Sequence, residues 1–331
     1  MDGKKALIGM SGGVDSSVAA LLMLRAGYEC IGATMRLYDN DMIGLEKGHT
    51  CCSLDDVEDA RSVARRLGIP HYVFNFKDDF HEKVIKKFAS GYLRGQTPNP
   101  CIDCNRYMKF DKLFERAKLL GCDKIATGHY ARIEFDGRKY QLKKALDKSK
   151  DQSYVLYMLT QEQLAHTLFP LGSLHKTDTR AIADTAGLSS AHKPDSQDIC
   201  FVPDGDYAAA IERLAGMKAP CGNFIDASGK VIGTHRGITH YTVGQHRGSV
   251  CHSPSAGMCA ASTPKTARLR LAAATSCTRP QPRFAASTGS AARLRPNRSA
   301  APQRSAIGSP QRRLPTKTAA LQYSLTRLSA Q

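Results

Sequence analysis

The stretch Ala6–Leu24, ALIGMSGGVDSSVAALLML, decides the fold of the first part of the chain. An apolar run leads into Ser11–Gly13, and after Asp15 the apolar residues return at helical spacing. A buried strand that ends in a glycine-rich turn and leads into a helix brings backbone N–H groups together where the helix dipole favours negative charge. Because glycine allows a positive φ and close approach of a phosphate, the stretch predicts an anion-binding turn.

The turn has the spacing of neither common nucleotide motif. It is not the G-x-x-x-x-G-K-[ST] of a Walker loop or the G-x-G-x-x-G of a dinucleotide fold. A structural strand–turn–helix with a capping Ser or Asp would also fit. Ser11–Ser17 nevertheless resembles the S-G-G-x-D-S pyrophosphate loop (PP-loop) of ATP pyrophosphatases, which activate a carbonyl or carboxylate as its adenylate. That resemblance implies that Asp15 positions Mg²⁺ or pyrophosphate.

Strand-like and helix-like segments alternate along the chain after this turn. The strand-like segments lie at 4–10, 28–37, 70–76 and 122–130, and the helix-like segments at 14–26, 53–68, 78–95 and 109–121. This alternation predicts an α/β fold with a doubly wound parallel sheet. From about Asp204 the pattern changes to short β-like pieces with glycine turns, which predicts a second, smaller β-rich domain.

The charge is concentrated in the last part of the chain. The net charge is +17, but the segment from Ser249 onward holds 13 Lys and Arg, no Asp or Glu, and the aromatic residues Phe284 and Tyr323 only. The first 248 residues carry 34 basic and 30 acidic side chains, a net charge of +4. With little to bury against the entropy of ordering, residues 249–331 are predicted to form a disordered basic tail.

Two interpretations of this tail stay open. It can be a basic arm that binds RNA or DNA, or the product of an out-of-frame translation of a GC-rich gene. The abrupt onset and the absence of acidic residues favour the second interpretation. Neither makes the tail a folded catalytic domain.

The composition also indicates a compartment. No segment reaches the roughly 18 consecutive apolar residues of a membrane span, and the N-terminal residues do not have the pattern of a signal peptide. The eleven cysteines are unevenly spaced, and one would be left over from full pairing. A cytoplasmic protein with reactive thiols fits better than a secreted disulfide scaffold.

The cysteines that can carry chemistry lie in two predicted loops. Cys101 and Cys104 lie in a proline-rich loop directly before a helix, with Arg106 and Lys109 close by, and Cys200 ends another loop. A thiol near a helix N-terminus or a cation has a lowered pKa and becomes a nucleophile at neutral pH. These cysteines are therefore candidate nucleophiles.

The remaining cysteines suggest no chemistry. A C-x₂-C pair is also half of a zinc site, but no second pair or His pair follows. Cys30 and Cys122 are interpreted as small core residues, and Cys51 and Cys52 are left without a role.

Seven motifs between about residues 4 and 248 resemble, in order, those of the bacterial tRNA-specific 2-thiouridylases. They are GMSGGVDSSVAALLM, TPNPCIDCNRYMKF, ATGHYAR, KDQSYVLYML, LFPLG, DSQDICFV and YTVGQHRG. That family installs sulfur at position 2 of the wobble uridine in certain tRNAs. The resemblance implies a tRNA-uridine 2-sulfurtransferase that uses ATP and Mg²⁺, acts on tRNA, and receives sulfur from a sulfur-relay or cysteine desulfurase protein.

The resemblance also implies domains: a PP-loop domain of the adenine-nucleotide alpha-hydrolase type at 1–203, a partial central β-rich domain at 204–248, and the tail at 249–331. The family continues after Gly248 with the rest of the central domain and a β-barrel that helps to hold tRNA. Since this chain carries the basic tail there instead, we expect an intact catalytic domain with impaired tRNA affinity or turnover.

Individual roles follow from the same resemblance. Cys104 is the first catalytic cysteine and Cys200 carries the persulfide. The implied ATP contacts are Gly9, Met10, Ser11, Gly12, Gly13, Val14, Asp15, Ser16, Met35 and Gly128. The implied tRNA contacts are Asn99, Pro100, Cys101, His129, Lys150, Asp151 and Gln152. No metal-ligating side chain is assigned. Some members have Asp at position 101, so the role of Cys101 stays open.

The implied reaction ends with a Cys104–Cys200 disulfide that must be reduced before the next turnover. Two alternatives remain. One is a PP-loop tRNA thiolase with an iron–sulfur cluster held by Cys101, Cys104 and Cys200. The other is a non-catalytic RNA-binding protein that uses its basic tail.

Overall fold

The structure is a computed structural model that describes residues 4–39, 54–195, 199–202, 204–226 and 228–242, and the backbone of two strands at 257–263 and 268–273. Its strands are β1 Lys5–Gly9, β2 Glu29–Arg36, β3 His71–Asn75, β4 Lys124–Thr127, β5 Ala131–Phe135, β6 Tyr140–Lys144, β7 Thr167–Leu168, β8 Gly222–Ile225, β9 Val231–His235, β10 Gly257–Thr263 and β11 Arg268–Ala273. Its α-helices are α1 Val14–Arg25, α2 Leu54–Leu67, α3 Lys77–Phe80, α4 Lys86–Leu93, α5 Pro100–Asp103, α6 Leu113–Leu119, α7 Gln161–Ala165, α8 Lys176–Thr185 and α9 Tyr207–Ala215. The π-helical turns His81–Ile85 and Cys104–Lys112 join α3 to α4 and α5 to α6.

A five-stranded sheet organises the first part of the chain. Its strand order is β3-β2-β1-β4-β7, and each neighbouring pair is parallel. The predicted doubly wound α/β fold is confirmed, and each of the four predicted strands is present in shortened form. The antiparallel hairpin of β5 and β6, which stands beside this sheet, was not predicted.

The central strand β1 explains why the opening stretch is continuously apolar. Ala6 and Ile8 belong to a core cluster that includes residues of α1, α2 and α8, whereas Leu7 belongs to another cluster with Phe110 and Leu113. All three strand residues are fully buried. Because side chains alternate between the faces of a strand, both faces of the sheet are covered by helices.

A third cluster, which we call the aromatic cluster, lies beside the sheet. It is built around Tyr38, Phe80, Phe88 and Phe201, and it also includes residues of α9. Phe201 contacts Phe80 and Phe88 edge-on, with ring centroids 5.8 and 5.3 Å apart. The cluster therefore joins the end of β2, the α3–α4 helix and residues 199–202.

A small sheet follows, with the strand order β10-β11-β8-β9. In it β11 pairs parallel to β8, with Leu269 opposite Phe224. Two segments of the predicted tail, 257–263 and 268–273, form the strands β10 and β11, and disorder of the tail as a whole stays a prediction. Averaged composition conceals the local alternation RLRL at Arg268–Leu271, which is a strand pattern. Residues 274–331 lie outside the described residues.

No helix in the described part of the chain combines the length and apolar character needed to cross a membrane.

Candidate active site

The candidate site lies where the strand order of the main sheet reverses. From β1 the chain runs outward to β2 and β3, and it then returns to β4 on the other side of β1. Gly9, the last residue of β1, is in register with Thr127, the last residue of β4. In open parallel sheets ligands bind at the carboxyl ends of the strands at this switch point. The phosphate turn (residues 9–16) and the turn at Gly128 and His129 both begin there.

Serine hydroxyls brace the phosphate turn. The Ser11 N–H donates to Oγ of Ser16 (3.1 Å), and the hydroxyls of Ser16 and Ser17 donate to the carbonyl of Gly13 (3.0 and 2.9 Å). Gly13 is the N-cap of α1, and no side chain caps this helix. The first N–H groups of α1 therefore have no side-chain acceptor at the cap, as an anion-binding turn requires.

Two glycines are required by close packing. Gly12 has a φ of +74°, and a Cβ built on it would lie 2.5 Å from the carbonyl oxygen of Asp56. A Cβ on Gly128 would lie 2.7 Å from the carbonyl carbon of Asp15 and 2.8 Å from the nitrogen of Ser16. The turn after β4 thus contacts the first turn of α1, and the implied ATP contact Gly128 lies beside the phosphate turn.

Replacing Gly12 with alanine tests how tightly this turn is held. We expect Gly12→Ala to lower the free energy of unfolding by roughly 2–4 kcal/mol, because both the positive φ and the contact with Asp56 are unfavourable. ATP binding should weaken as the turn is displaced. Gly121→Ala is the matched control, since Gly121 has a φ of +68° and open space around the added Cβ. Urea unfolding and ATP titration measure both effects, and equal losses in the two variants would contradict the steric argument.

Three further implied ATP contacts have buried side chains or packing roles. Met10 is buried, its N–H donates to the Ala33 carbonyl (2.8 Å), and its carbonyl accepts from the Thr34 hydroxyl (2.9 Å). The Val14 side chain lies in the core cluster that α1 shares with the strand β1. Met35 of β2 is partly buried against two hydrophobic clusters. Met10 therefore braces the turn through its backbone.

The carboxylate of Asp15 lies in an ion-pair network that the sequence did not reveal. Nζ of Lys176 lies 2.7 and 2.8 Å from its two oxygens, and the Tyr130 hydroxyl donates to Oδ1 (3.0 Å). Lys176 also pairs with Asp195 (2.8 Å) and is only 9% exposed. Burial, and next the Asp15 charge, raise the pKa of Tyr130, so its hydroxyl stays protonated and donates. A buried cation therefore stands directly beside the phosphate turn.

The same network reaches the segment that leads to Cys200. Asp195 accepts from Lys150 (2.9 Å) and Arg180 (2.7 Å) as well as Lys176. Burial alone would raise the pKa of Asp195, but hydrogen bonds from Lys176 and Lys150 outweigh it and lower the pKa to about 2. Lys150, an implied tRNA contact, thus forms an ion pair with a carboxylate that is ionised at neutral pH.

The other implied tRNA contacts are spread around the switch point. The side chain of Asp151 accepts from the Ala145 N–H (2.9 Å), and that of Gln152 from the Tyr130 N–H (2.9 Å). The His129 ring is buried, with Nδ1 2.7 Å from Oγ1 of Thr127 and Nε2 3.3 Å from Nζ of Lys109.

Burial, and next the positive charge of Lys109, hold the pKa of His129 well below its usual value. Because Lys109 can only donate, Nε2 accepts and the neutral ring donates from Nδ1 to Thr127. The structure thus gives the His129 side chain a buried, structural set of contacts.

Cys101 and Cys104 lie inside a helix, and the prediction of a loop before the helix is wrong here. Asn99 caps α5 by accepting from the Cys101 N–H (3.0 Å), and Pro100 occupies the first turn. Asn at the cap and Pro at the first position are both signals for a helix start. Cys101 is exposed, whereas Cys104 is half-buried where the π-helical turn begins.

Cys104 and Cys200 pack against the same aromatic cluster. The carbonyl of Cys200 accepts from the Tyr38 hydroxyl (2.8 Å), and the next residue, Phe201, is buried in that cluster. The backbone at Cys200 is thereby held without use of its sulfur.

By contrast, Cys30 and Cys122 are buried in the core, as predicted. Burial raises the pKa of the Cys30 thiol to about 12 and also raises the pKa of the Cys122 thiol.

Comparison with known proteins gives the family. Residues 4–204 match the model described as tRNA methyl transferase HUP domain, and residues 211–254 match the model described as tRNA methyl transferase PRC-barrel domain. The chain is 52% identical over 248 residues to the tRNA-specific 2-thiouridylase MnmA of Clostridioides difficile, which covers 74% of this chain and 68% of that protein. This chain belongs to the tRNA-specific 2-thiouridylase family.

Two other relatives carry the same name. They are from Clostridium acetobutylicum, 53% identical over 245 residues (74% of this chain, 69% of that protein), and from Acetivibrio thermocellus, 53% identical over 253 residues (75% and 70%). The family predicted from the seven motifs is confirmed. The second family match, described as a PRC-barrel domain, covers residues 211–254 and so includes the strands β8 and β9 of the small sheet.

Proposed function

We propose that this protein catalyses ATP-dependent 2-thiolation of the wobble uridine of tRNA. The geometry that supports the proposal most directly is the combination of two features. A phosphate turn with uncapped N–H groups stands at the switch point, and Cys104 and Cys200 share one aromatic cluster. The identity of about half of the residues to tRNA-specific 2-thiouridylases gives independent support.

The first chemical step makes oxygen a leaving group. The uridine O2 attacks the α-phosphorus of ATP, an O–P bond forms, and pyrophosphate departs. The N–H groups of the phosphate turn and the ammonium of Lys176 are suited to stabilise the negative charge on the phosphates. Carbon 2 thereby becomes an electrophile with AMP as its leaving group.

The second step delivers sulfur. The outer sulfur of a Cys200 persulfide can attack carbon 2 directly and expel AMP, after which the Cys104 thiolate attacks the Cys200 sulfur and releases the thiolated base. Alternatively, Cys104 attacks the inner sulfur of the persulfide and releases hydrosulfide, which then attacks carbon 2. Both routes leave a Cys104–Cys200 disulfide, so a thiol reductant must supply two electrons before the next turnover.

Mg²⁺ would enter with ATP. The described residues hold no cluster of three His, Cys, Asp or Glu side chains that could bind a metal, and both Asp15 oxygens contact Lys176. Mg²⁺ in nucleotide sites is typically held by phosphates with one or two carboxylates, and Asp15 is the carboxylate in the turn. When bound there, Mg²⁺ would neutralise part of the negative charge on the phosphates.

The sulfur source and the compartment belong to the same proposal. A persulfide on Cys200 requires a donor, which we propose is a sulfur-relay or cysteine desulfurase protein. The substrates tRNA and ATP support a cytoplasmic location. We further propose that catalysis resides in residues 1–203 and that residues 204–248 form part of a second domain.

The alternatives receive less support. Cys101, Cys104 and Cys200 do not come together as a ligand cluster among the described residues, which disfavours an iron–sulfur cluster. A purely RNA-binding protein leaves the phosphate turn unexplained. Methyl transfer, named in the family-model descriptions, would leave both the turn and the cysteine pair without a task.

Mass spectrometry of tRNA nucleosides tests the proposal. After incubation of tRNA with the protein, ATP, Mg²⁺ and a persulfide donor, we expect 2-thiouridine at the wobble position together with AMP and pyrophosphate. Omitting ATP or the donor should eliminate the product. A methylated nucleoside, or no modified nucleoside with a donor-loaded Cys200, would contradict thiolation.

A further inference from the structure

Two tyrosines next to the implied tRNA contacts have no task in the proposed reaction. Tyr154 and Tyr157 are 62% and 66% exposed, whereas Val155 and Leu156 between them are 5% and 0% exposed. The 3₁₀ turn Ser153–Val155 is held by the bonds from the Val155 N–H to the Gln152 carbonyl (3.2 Å) and from the Leu156 N–H to the Ser153 carbonyl (3.1 Å). Tyr154 lies within this turn, and Tyr157 follows it directly after the buried Leu156. Two large aromatic side chains are thus exposed to solvent within one short segment.

The turn that carries them is fixed to both halves of the candidate site. The Gln152 N–H donates to the Tyr130 carbonyl (2.9 Å), and the Tyr130 hydroxyl bonds to Asp15 in the phosphate turn. On the other side, the amide of Asn105, the residue after Cys104, donates to the Val155 carbonyl (3.2 Å). A ligand held by the two tyrosines would therefore be placed at a defined position relative to the phosphate turn and to Cys104.

Exposed lysines lie on the segments that adjoin the 3₁₀ turn. Strand β6, which ends at Lys144, contacts the 3₁₀ turn, and the loop that carries Lys148 is closed by the bond from the Ala145 N–H to Asp151 (2.9 Å). Lys144 and Lys148 are exposed. Within the described part of the chain, no acidic group forms an ion pair with either of them, unlike Lys143 and Lys150.

We propose that Tyr154 and Tyr157 form a stacking platform for unpaired bases of the tRNA loop that presents the target uridine, with Lys144 and Lys148 contacting its phosphates. Exposed aromatic faces beside unneutralised lysines suit single-stranded RNA, whose bases can stack while its backbone remains in reach of the cations. Stacking accepts any base, so the platform holds flanking nucleotides and leaves the target base to the cysteines. The inference rests on the proposed function, because it takes tRNA as the substrate.

A fluorescence experiment tests the stacking directly. The chain contains no tryptophan, so Tyr154→Trp introduces a single indole at the platform. Addition of an anticodon stem–loop RNA should quench its emission as a base stacks on the ring. Tyr72→Trp is the matched control: Tyr72 is 46% exposed on β3 at the far edge of the main sheet, and its emission should stay unchanged.

Binding measurements separate stacking from charge. Tyr154→Ala and Tyr157→Ala should each weaken tRNA binding by about tenfold, with an unchanged salt dependence and a raised KM for tRNA at a nearly constant kcat. Tyr154→Phe should retain binding. Lys148→Ala should instead lower the slope of log Kd against log salt by about one. Tyr72→Ala should bind tRNA like the parent protein.

Wild-type affinity in both tyrosine-to-alanine variants would overturn the platform. Normal tRNA binding with impaired sulfur transfer from a donor protein alone would overturn it too, because the surface would then dock that protein. A parent protein that binds tRNA without thiolating it would contradict the proposed function, while the binding and quenching results would still decide the platform.

Discussion

Cys200→Ser should abolish sulfur transfer while adenylation of tRNA continues. A serine hydroxyl cannot carry a persulfide, so formation of 2-thiouridine should fall by about a thousandfold or more, the scale of removing a nucleophile. The fold should persist, because Tyr38 bonds to the Cys200 carbonyl and the buried anchor is the neighbouring Phe201. Nucleoside mass spectrometry measures the product, and release of AMP and pyrophosphate in the presence of tRNA measures the first step.

Cys104→Ser should lose thiolation as well, because no second thiol would then resolve the persulfide. The matched controls are Cys221→Ser, at an exposed cysteine of the small domain, and Cys30→Ser and Cys122→Ser in the core. Burial raises the pKa of both core thiols, to about 12 for Cys30, so they are protonated at neutral pH and carry no chemistry. These controls should retain thiolation. Full thiolation by Cys200→Ser supplied only with a persulfide donor would refute the relay.

The main sheet could be predicted because its signals are local. The apolar run of β1, the glycines at positions 12 and 13 and the helical spacing of α1 all lie within one short stretch, and the structure places them as expected. The start of α5 was missed although its signals are local too. The proline content around Asn99 and Pro100 favours a loop, whereas an Asn cap followed by Pro opens a helix.

The ion pairs of the site could not be predicted in this way. Lys176 lies 161 residues from Asp15 in the chain, and in sequence it is an unremarked lysine at the start of a helix. The ammonium of Lys176 reaches the phosphate turn because α8 packs beside α1. Tyr130 contacts Asp15 across 115 residues, and Asp195 joins the network through its ion pair with Lys176, so no spacing pattern marks either residue. A single sequence therefore identifies the turn but misses the charges that surround it.

Asp15→Ala should lower ATP cleavage in the presence of tRNA by about a hundredfold or more, because it removes the only carboxylate of the phosphate turn and its charge-assisted contacts. The fold should survive. Lys176 keeps its ion pair with Asp195, and the turn keeps its serine braces. Release of AMP and pyrophosphate measures the loss, and urea unfolding checks the fold. Asp178→Ala is the matched control, since Asp178 is an exposed carboxylate in the first turn of the same helix as Lys176.

Two further variants show whether Asp15 acts through its charge and through Lys176. Asp15→Asn keeps the shape and an acceptor for the Tyr130 hydroxyl, so a loss close to that of Asp15→Ala would assign the effect to charge. If Asp15 and Lys176 act as one unit, Lys176→Met should be impaired to a similar degree, and the double variant should be little worse than either single variant. Additive losses would mean that each residue contacts the nucleotide independently. ATP cleavage at the parental rate by Asp15→Ala would instead remove the turn from the adenylation site.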